Sequence, residues 1–394
     1  MKICSFCHSK DYKFIIEASD PNICICNSCI DIAKLALIEE TENDLKSDQV
    51  DTVKKKKQKN KILTPKEIKT FLDQHIIGQE KTKKIISVGV YNHMLKILNN
   101  LSVQKSNILL IGPSGSGKTL FAQTLSKILK VPFIVADATT LTEEGYVGDN
   151  IESMIQMLLL SCDFNIEKAS KGIIYIDEID KKAKKTSAST SITRDVSGEG
   201  VQFGLLKMVE GSVMNIQPTG SRKHPRGDRL LIDTSNILFI FGGAFNGLSD
   251  IIASRLCKNN IGFNTKMSKV ERDIDVMNYL EQDDLIQYGL IPELVGRIPV
   301  VSVLNKLSID ELARILTEPI DSIIKQYQRL LEVDNINLTL TDPVIRKIAE
   351  IADRKGVGAR GLKSVIENIM VDFQFEVERD SDAKNYEITE DMVA

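Results

Sequence analysis

From Ile62 onward, short apolar runs alternate with longer stretches of helical periodicity. The runs at residues 107–111, 132–136, 172–176, 236–241 and 298–304 predict strands. An unbroken apolar run marks a strand covered on both faces, as in a parallel sheet flanked by helices. From Ser308 to about Phe375 the helical period dominates, with one strand-like segment at residues 337–340. This predicts a second, mostly helical domain. Ahead of Ile62 the pattern fails. Residues 39–61 are polar and charged and end in a lysine-rich run, too little apolar surface to order a backbone. The expected organisation is a cysteine-rich head over 1–38, a flexible linker over 39–61, a large α/β domain over 62–305 and a small helical domain over 306–394. Polar tracts at 186–193 and 259–271 predict surface loops.

Charge narrows the function. The 394 residues carry 51 Lys and Arg against 54 Asp and Glu, a net charge of −3. That balance argues against a protein that holds nucleic acid through a bulk positive field. No stretch approaches the ~18 apolar residues of a membrane span, and the N-terminus, MKICSFCHSK, has no signal or transit pattern. The expectation is a soluble, cytoplasmic protein that binds neither membrane nor nucleic acid.

Of seven cysteines, five fall within the first 29 residues. Clustered thiols in a chain this long fit metal binding better than a disulfide scaffold. Cys4-x-x-Cys7 and Cys26-x-x-Cys29, 18 residues apart, have four-cysteine zinc spacing, each pair presenting two thiolates from one turn. Cys24-x-Cys26 competes as a pair, but one intervening residue suits a tetrahedral ion less well. Zinc on Cys4, Cys7, Cys26 and Cys29 would supply folding free energy that so short a segment lacks. Cys24 is then left as a buried thiol, and the isolated Cys162 and Cys257 read as small core residues.

The run Gly112-Pro113-Ser114-Gly115-Ser116-Gly117-Lys118-Thr119 follows the first predicted strand and opens a helical pattern. This is a phosphate-binding loop in its required strand–loop–helix context. Glycines let backbone N–H groups converge on phosphate oxygens, and the helix N-terminus adds a favourable dipole. Lys118 would meet the β/γ-phosphates and Thr119 would ligate Mg²⁺. The run Gly172-Ile173-Ile174-Tyr175-Ile176-Asp177-Glu178 brings two carboxylates to a strand's C-terminal end, where open α/β sheets bind ligands. Asp177 would hold Mg²⁺, and Glu178 would activate the attacking water. The reaction expected is hydrolysis of a nucleoside triphosphate.

Taken in order along the chain, these motifs resemble the ClpX family of unfoldases. With them go Gly145-Tyr146-Val147-Gly148, Arg194-Asp195-Val196-Ser197-Gly198-Glu199-Gly200, Arg222-Lys223-His224 and Gly358-Ala359-Arg360. The resemblance implies an AAA+ fold, a homo-hexamer with ATP at subunit boundaries, and protein substrates unfolded and threaded into the peptidase ClpP. It implies that Arg297 reaches a neighbour's ATP, that Arg360 senses the nucleotide of its own subunit, and that Ile76-Ile77-Gly78-Gln79 packs against adenine. Leu120 closes the same nucleotide site. Tyr146 and Val147 would grip substrate in the axial pore, with Arg222, Lys223 and His224 at its entrance. Ile261-Gly262-Phe263 would dock ClpP, and the cysteine head would dimerise and bind substrates and adaptors. Asp149-Asn150 stands where the family reads Glu-Asp, and Asn264 where glycine is usual. No sensor residue is assignable at Gly242-Gly243.

Overall fold

The computed structural model describes residues 4, 5, 7, 15–17, 24–26, 28–30, 62–99, 101, 103–142, 149–184, 198–216, 230–259, 276–377 and 384–393. Tyr146, Val147, Arg222, Lys223, His224, Ile261, Gly262, Phe263, the linker at 39–61 and both predicted polar tracts (but for the backbone of Asn259) lie outside them. The chain divides into two compact units, Met1–Ile62 and Leu63–Ala394. In the first, β1 (Ile15–Glu17) pairs antiparallel with β2 (Cys24–Cys26), Ile15 opposite Cys26 and Glu17 opposite Cys24.

The second unit opens with α1 (Pro65–His75) and α2 (Glu80–Asn99). Thr64 and Glu67 form a reciprocal capping box and Pro65 occupies the first turn, so the local sequence fixes where α1 starts. There follow β3 (Ile108–Ile111), α3 (Lys118–Leu129), β4 (Phe133–Asp137), α4 (Glu152–Leu160) and β5 (Ile173–Asp177). Next come α5 (Glu199–Glu210), an antiparallel pair β6 (Val213–Ile216) and β7 (Leu230–Asp233), and β8 (Leu238–Gly243). The large domain ends with α6 (Leu248–Asn259), α7 (Gln282–Tyr288), α8 (Pro292–Gly296) and β9 (Val300–Val303).

Five strands form one parallel sheet in the order β9-β3-β8-β5-β4. Every residue of β3 and β8 is buried, as an apolar run covered on both faces requires. Alternate residues serve alternate faces. Ile108, Leu110, Tyr175 and Ile240 pack on Ile68, Leu72, Ile86, Val90 and Phe121 of α1, α2 and α3. Leu109, Ile111, Ile176 and Phe241 pack on Leu158, Leu205 and Ile252 of α4, α5 and α6. All five predicted strands are present, shifted by a residue or two at their ends.

After β9, Ser308 and Glu311 build a second capping box that starts α9 (Ile309–Thr317). It is followed by α10 (Ile323–Glu332), β10 (Ile336–Leu340), α11 (Asp342–Arg354), α12 (Ala359–Glu376) and β11 (Lys384–Ile388). These elements share a core of their own, including Leu312, Leu331, Ile348, Leu362 and Ile366. Strand β11, not anticipated, pairs parallel with β10. Cys162 is half-buried against the large core, but Cys257 is exposed, contrary to expectation. On α6 the buried positions are Leu248 and Ile252, and Cys257 falls on the outer face.

Candidate nucleotide site and cysteine cluster

The loop from Gly112 to Gly117 joins the C-terminal end of β3 to the first turn of α3. Gly112 N donates to Gly243 O at 3.1 Å, tying the loop to β8. Gly115 (φ +75°) and Gly117 (φ +99°) adopt left-handed conformations that side chains rarely enter. At Gly115 a Cβ would also run into Val357 O, so only glycine lets this turn meet the small domain. Ser116 Oγ is buried with no partner among the described residues. An unpaired hydroxyl inside a loop of converging N–H groups is suited to an oxygen-rich ligand. Lys118 Nζ donates to Gly112 O (2.6 Å) and Pro113 O (3.0 Å) within the same loop. Burial, the largest cause, draws its ammonium below the ordinary lysine range, while the Asp177 carboxylate opposes this. Leu120, next along α3, is exposed.

Asp177 ends β5 and faces this loop. Thr119 Oγ1 donates to Asp177 Oδ2 at 3.4 Å, while Asp177 Oδ1 accepts from Tyr175 OH (3.1 Å) and Glu178 N (3.0 Å). Thr119 and Asp177 thus put a hydroxyl and a carboxylate at one spot, a donor set that suits Mg²⁺. Tyr175, which sequence reasoning passed over, orients the carboxylate from below. Burial pushes its phenol up, and Asp177 adds to the shift, so it stays a donor. Glu178 is exposed and held at φ +55°, a strained conformation for a non-glycine residue. Glu178 thus follows Asp177 at the C-terminal end of β5, and its negative charge is felt by Lys118.

One further segment closes on the loop, and a second ties the large domain to the small one. Arg360 Nη1 donates to Ser114 Oγ at 3.3 Å, and Ala359 N donates to Gly115 O at 3.2 Å. Ile76 and Ile77 are buried, and Gln79 grips the backbone of Asn305 twice, giving from Nε2 at 2.8 Å and accepting at Oε1 at 3.0 Å. Asn305 lies between β9 and α9, so this amide pins the junction of the two domains.

Arg297 is elsewhere. Asn107, at the opposite end of β3 from Gly112, donates from Nδ2 to Arg297 O at 2.8 Å. Five residue steps along β3 separate Asn107 from Gly112, about 16 Å at ~3.3 Å per step. The guanidinium pairs with Glu210 Oε1, at 2.9 Å from Nε and 2.7 Å from Nη2.

In the head, one sulfur each of Cys4, Cys7, Cys26 and Cys29 lies within 4.8 Å of the others. Cys4 and Cys29 approach to 3.9 Å, Cys7 and Cys26 to 3.6 Å. Crowded thiols resist ionisation: the hydrogen bond with Cys7, above all, pushes Cys29 up to about 12. A bound cation reverses that preference, since thiolates are its ligands. Cys26 N donates to Cys4 Sγ at 3.3 Å, the kind of N–H contact that supports a sulfur ligand. The cluster can hold a metal ion.

Comparison with known families agrees with this geometry. Residues 103–301 match the AAA domain (Cdc48 subfamily), and residues 307–375 match the C-terminal, D2-small domain, of ClpB protein. Among the described residues no helix is long and apolar enough to cross a membrane. An AAA domain brings nucleotide binding and ATP hydrolysis with it. The chain belongs to the AAA family of the Cdc48 subfamily, and it carries a small domain of the ClpB D2 type behind its ATPase domain.

Proposed function

We propose that this protein is an ATP-dependent protein unfoldase that works as a homo-hexameric ring and passes unfolded chains to the ClpP peptidase. The observation that carries the ring is the placement of Arg297. It is held at the far end of the sheet from Gly112, too distant to serve its own phosphate site. A permanently charged guanidinium exposed there is suited to a neighbour's nucleotide, and such fingers contribute ~10³–10⁵ in rate in related NTPases.

ATP is the substrate of each subunit's loop. The loop's N–H groups beyond Pro113 and the Lys118 ammonium would hold the phosphates, and Thr119 and Asp177 would hold Mg²⁺, which screens their charge. Glu178 takes the proton of the attacking water. Arg360, on α12, donates to the phosphate loop, so a change at the phosphates alters the seating of the small domain. Four thiolates of the head would hold Zn²⁺, which folds it for contacts with substrates and adaptors.

Tyr146 and Val147, with Arg222, Lys223 and His224, are assigned to the pore, and Ile261, Gly262 and Phe263 to ClpP docking, from their sequence motifs. The test is ATP-dependent unfolding and degradation of a tagged, stably folded fluorescent protein, with ClpP added. Fluorescence loss that needs ATP, and peptide release that needs ClpP, are expected. Unfolding without any ClpP association would leave a stand-alone remodelling chaperone. Tyr146→Ala should keep ATP turnover and lose unfolding.

A further inference from the structure

Arg297 shares a cavity of about 110 Å³ with Lys96, Lys105, Asn107 and Glu210. Among its described lining residues Glu210 is the one carboxylate, set against Lys96 and the Arg297 guanidinium, while burial draws Lys105 down to about 7. Glu210 is the carboxylate that the guanidinium meets there. Both Nε and Nη2 point at a single oxygen, Oε1. A guanidinium gripped through two of its nitrogens has one orientation.

Glu210 is itself fixed. It is the last residue of α5, and the carbonyls at that helix end are met one by one. Met208 O accepts from Thr234 Oγ1 at 3.0 Å and from Lys105 Nζ at 3.4 Å, and Val209 O from Asn107 Nδ2 at 3.5 Å. Asn107, 1% exposed, therefore holds both the backbone of Arg297 and the helix end that carries its partner. Arg297 and Glu210 are 45% and 42% exposed. An ion pair that exposed contributes little to folding stability, so stability does not account for the pair.

We infer that Glu210 is a positioning residue for Arg297, aiming the guanidinium outward for a neighbouring subunit's nucleotide. This rests on the reading of Arg297 given above. The neighbour's phosphates meet a side chain already oriented, so less freedom is lost at the moment of hydrolysis.

The experiment dilutes wild-type protein into a tenfold excess of hydrolysis-dead protein and reads ATP turnover per wild-type subunit. Nearly every wild-type subunit then receives its finger from a dead neighbour. Four dead proteins are compared: E178Q, E178Q/E210A, E178Q/E210D and E178Q/R297A. With E178Q/E210A, turnover should fall about tenfold below the E178Q mixture, at unchanged KM for ATP. E178Q/E210D, which keeps the charge on a shorter stem, should recover part of the loss. Equal turnover with E178Q and E178Q/E210A overturns the inference. Equal turnover with E178Q and E178Q/R297A overturns the reading of Arg297 itself, and the inference with it.

Discussion

Arg360 and Ser114 are joined by a hydrogen bond of 3.3 Å across 246 residues, which brings the first turn of α12 onto the phosphate loop. The small domain therefore touches the phosphate loop through the Arg360 side chain as well as through the Ala359 backbone. Charge-assisted hydrogen bonds contribute about 1.5–3 kcal/mol. Arg360→Ala should accordingly weaken ATP binding about tenfold or more, and slow turnover with it. Calorimetric titration with a non-hydrolysable ATP analogue measures the first effect; unchanged affinity and turnover would remove Arg360 from the site.

Glu178→Gln should bind ATP as wild type does and lose turnover by at least about 10²-fold, because an amide cannot accept the water's proton. Gln has the length and shape of Glu, so the substitution changes the chemistry at residue 178 and not its size. Near-normal phosphate release would assign the base elsewhere.

The four sulfurs within 4.8 Å predict one zinc ion per chain by elemental analysis. Chelation, or Cys4→Ser with Cys29→Ser, should make residues 1–38 protease-sensitive. ATP turnover should survive, since the head and the ATPase belong to separate compact units. Purified protein without zinc would falsify the reading of the cluster.

His93 predicts a pH dependence. It is 3% exposed, its Nδ1 has no partner among the described residues, and burial draws it down to about 4, with Lys105 and Lys96 adding to the shift. Between about pH 4 and 6.5 the unfolded chain binds the proton that the folded one refuses. Stability is thus complete above 6.5 and is lost as pH falls toward 4. From pH 7 to 5 the loss from this group is about 2 kcal/mol. Urea midpoints should drop less over that range for His93→Asn than for wild type; equal drops would show that His93 is not the titrating group.

Much of the fold was legible because its causes are local. Strands β3, β4, β5, β8 and β9 read as apolar runs because each is covered on both faces. The phosphate loop was visible because its conformation needs glycine at fixed places between a strand and a helix, and positive φ at Gly115 and Gly117 bears this out. The cysteine cluster followed from the reach of two short turns.

Other features depended on which strands become neighbours. The pairing of β10 with β11 and the outward face of Cys257 depend on packing that no local period encodes. Tyr175 looked like one more apolar strand residue until its hydroxyl met Asp177. Asn107 could have been noticed as a lone amide at the head of an apolar strand, but its side-chain partners are 102, 132 and 190 residues away. Glu210 and Arg297, 87 residues apart, carry no mutual signal in the chain. The residue types, the glycines and the cysteine spacing were settled by the sequence, because each answers to its own backbone. Which charge faces which was settled by the order β9-β3-β8-β5-β4, because that order sets Arg297 and the phosphate loop at opposite ends of one strand.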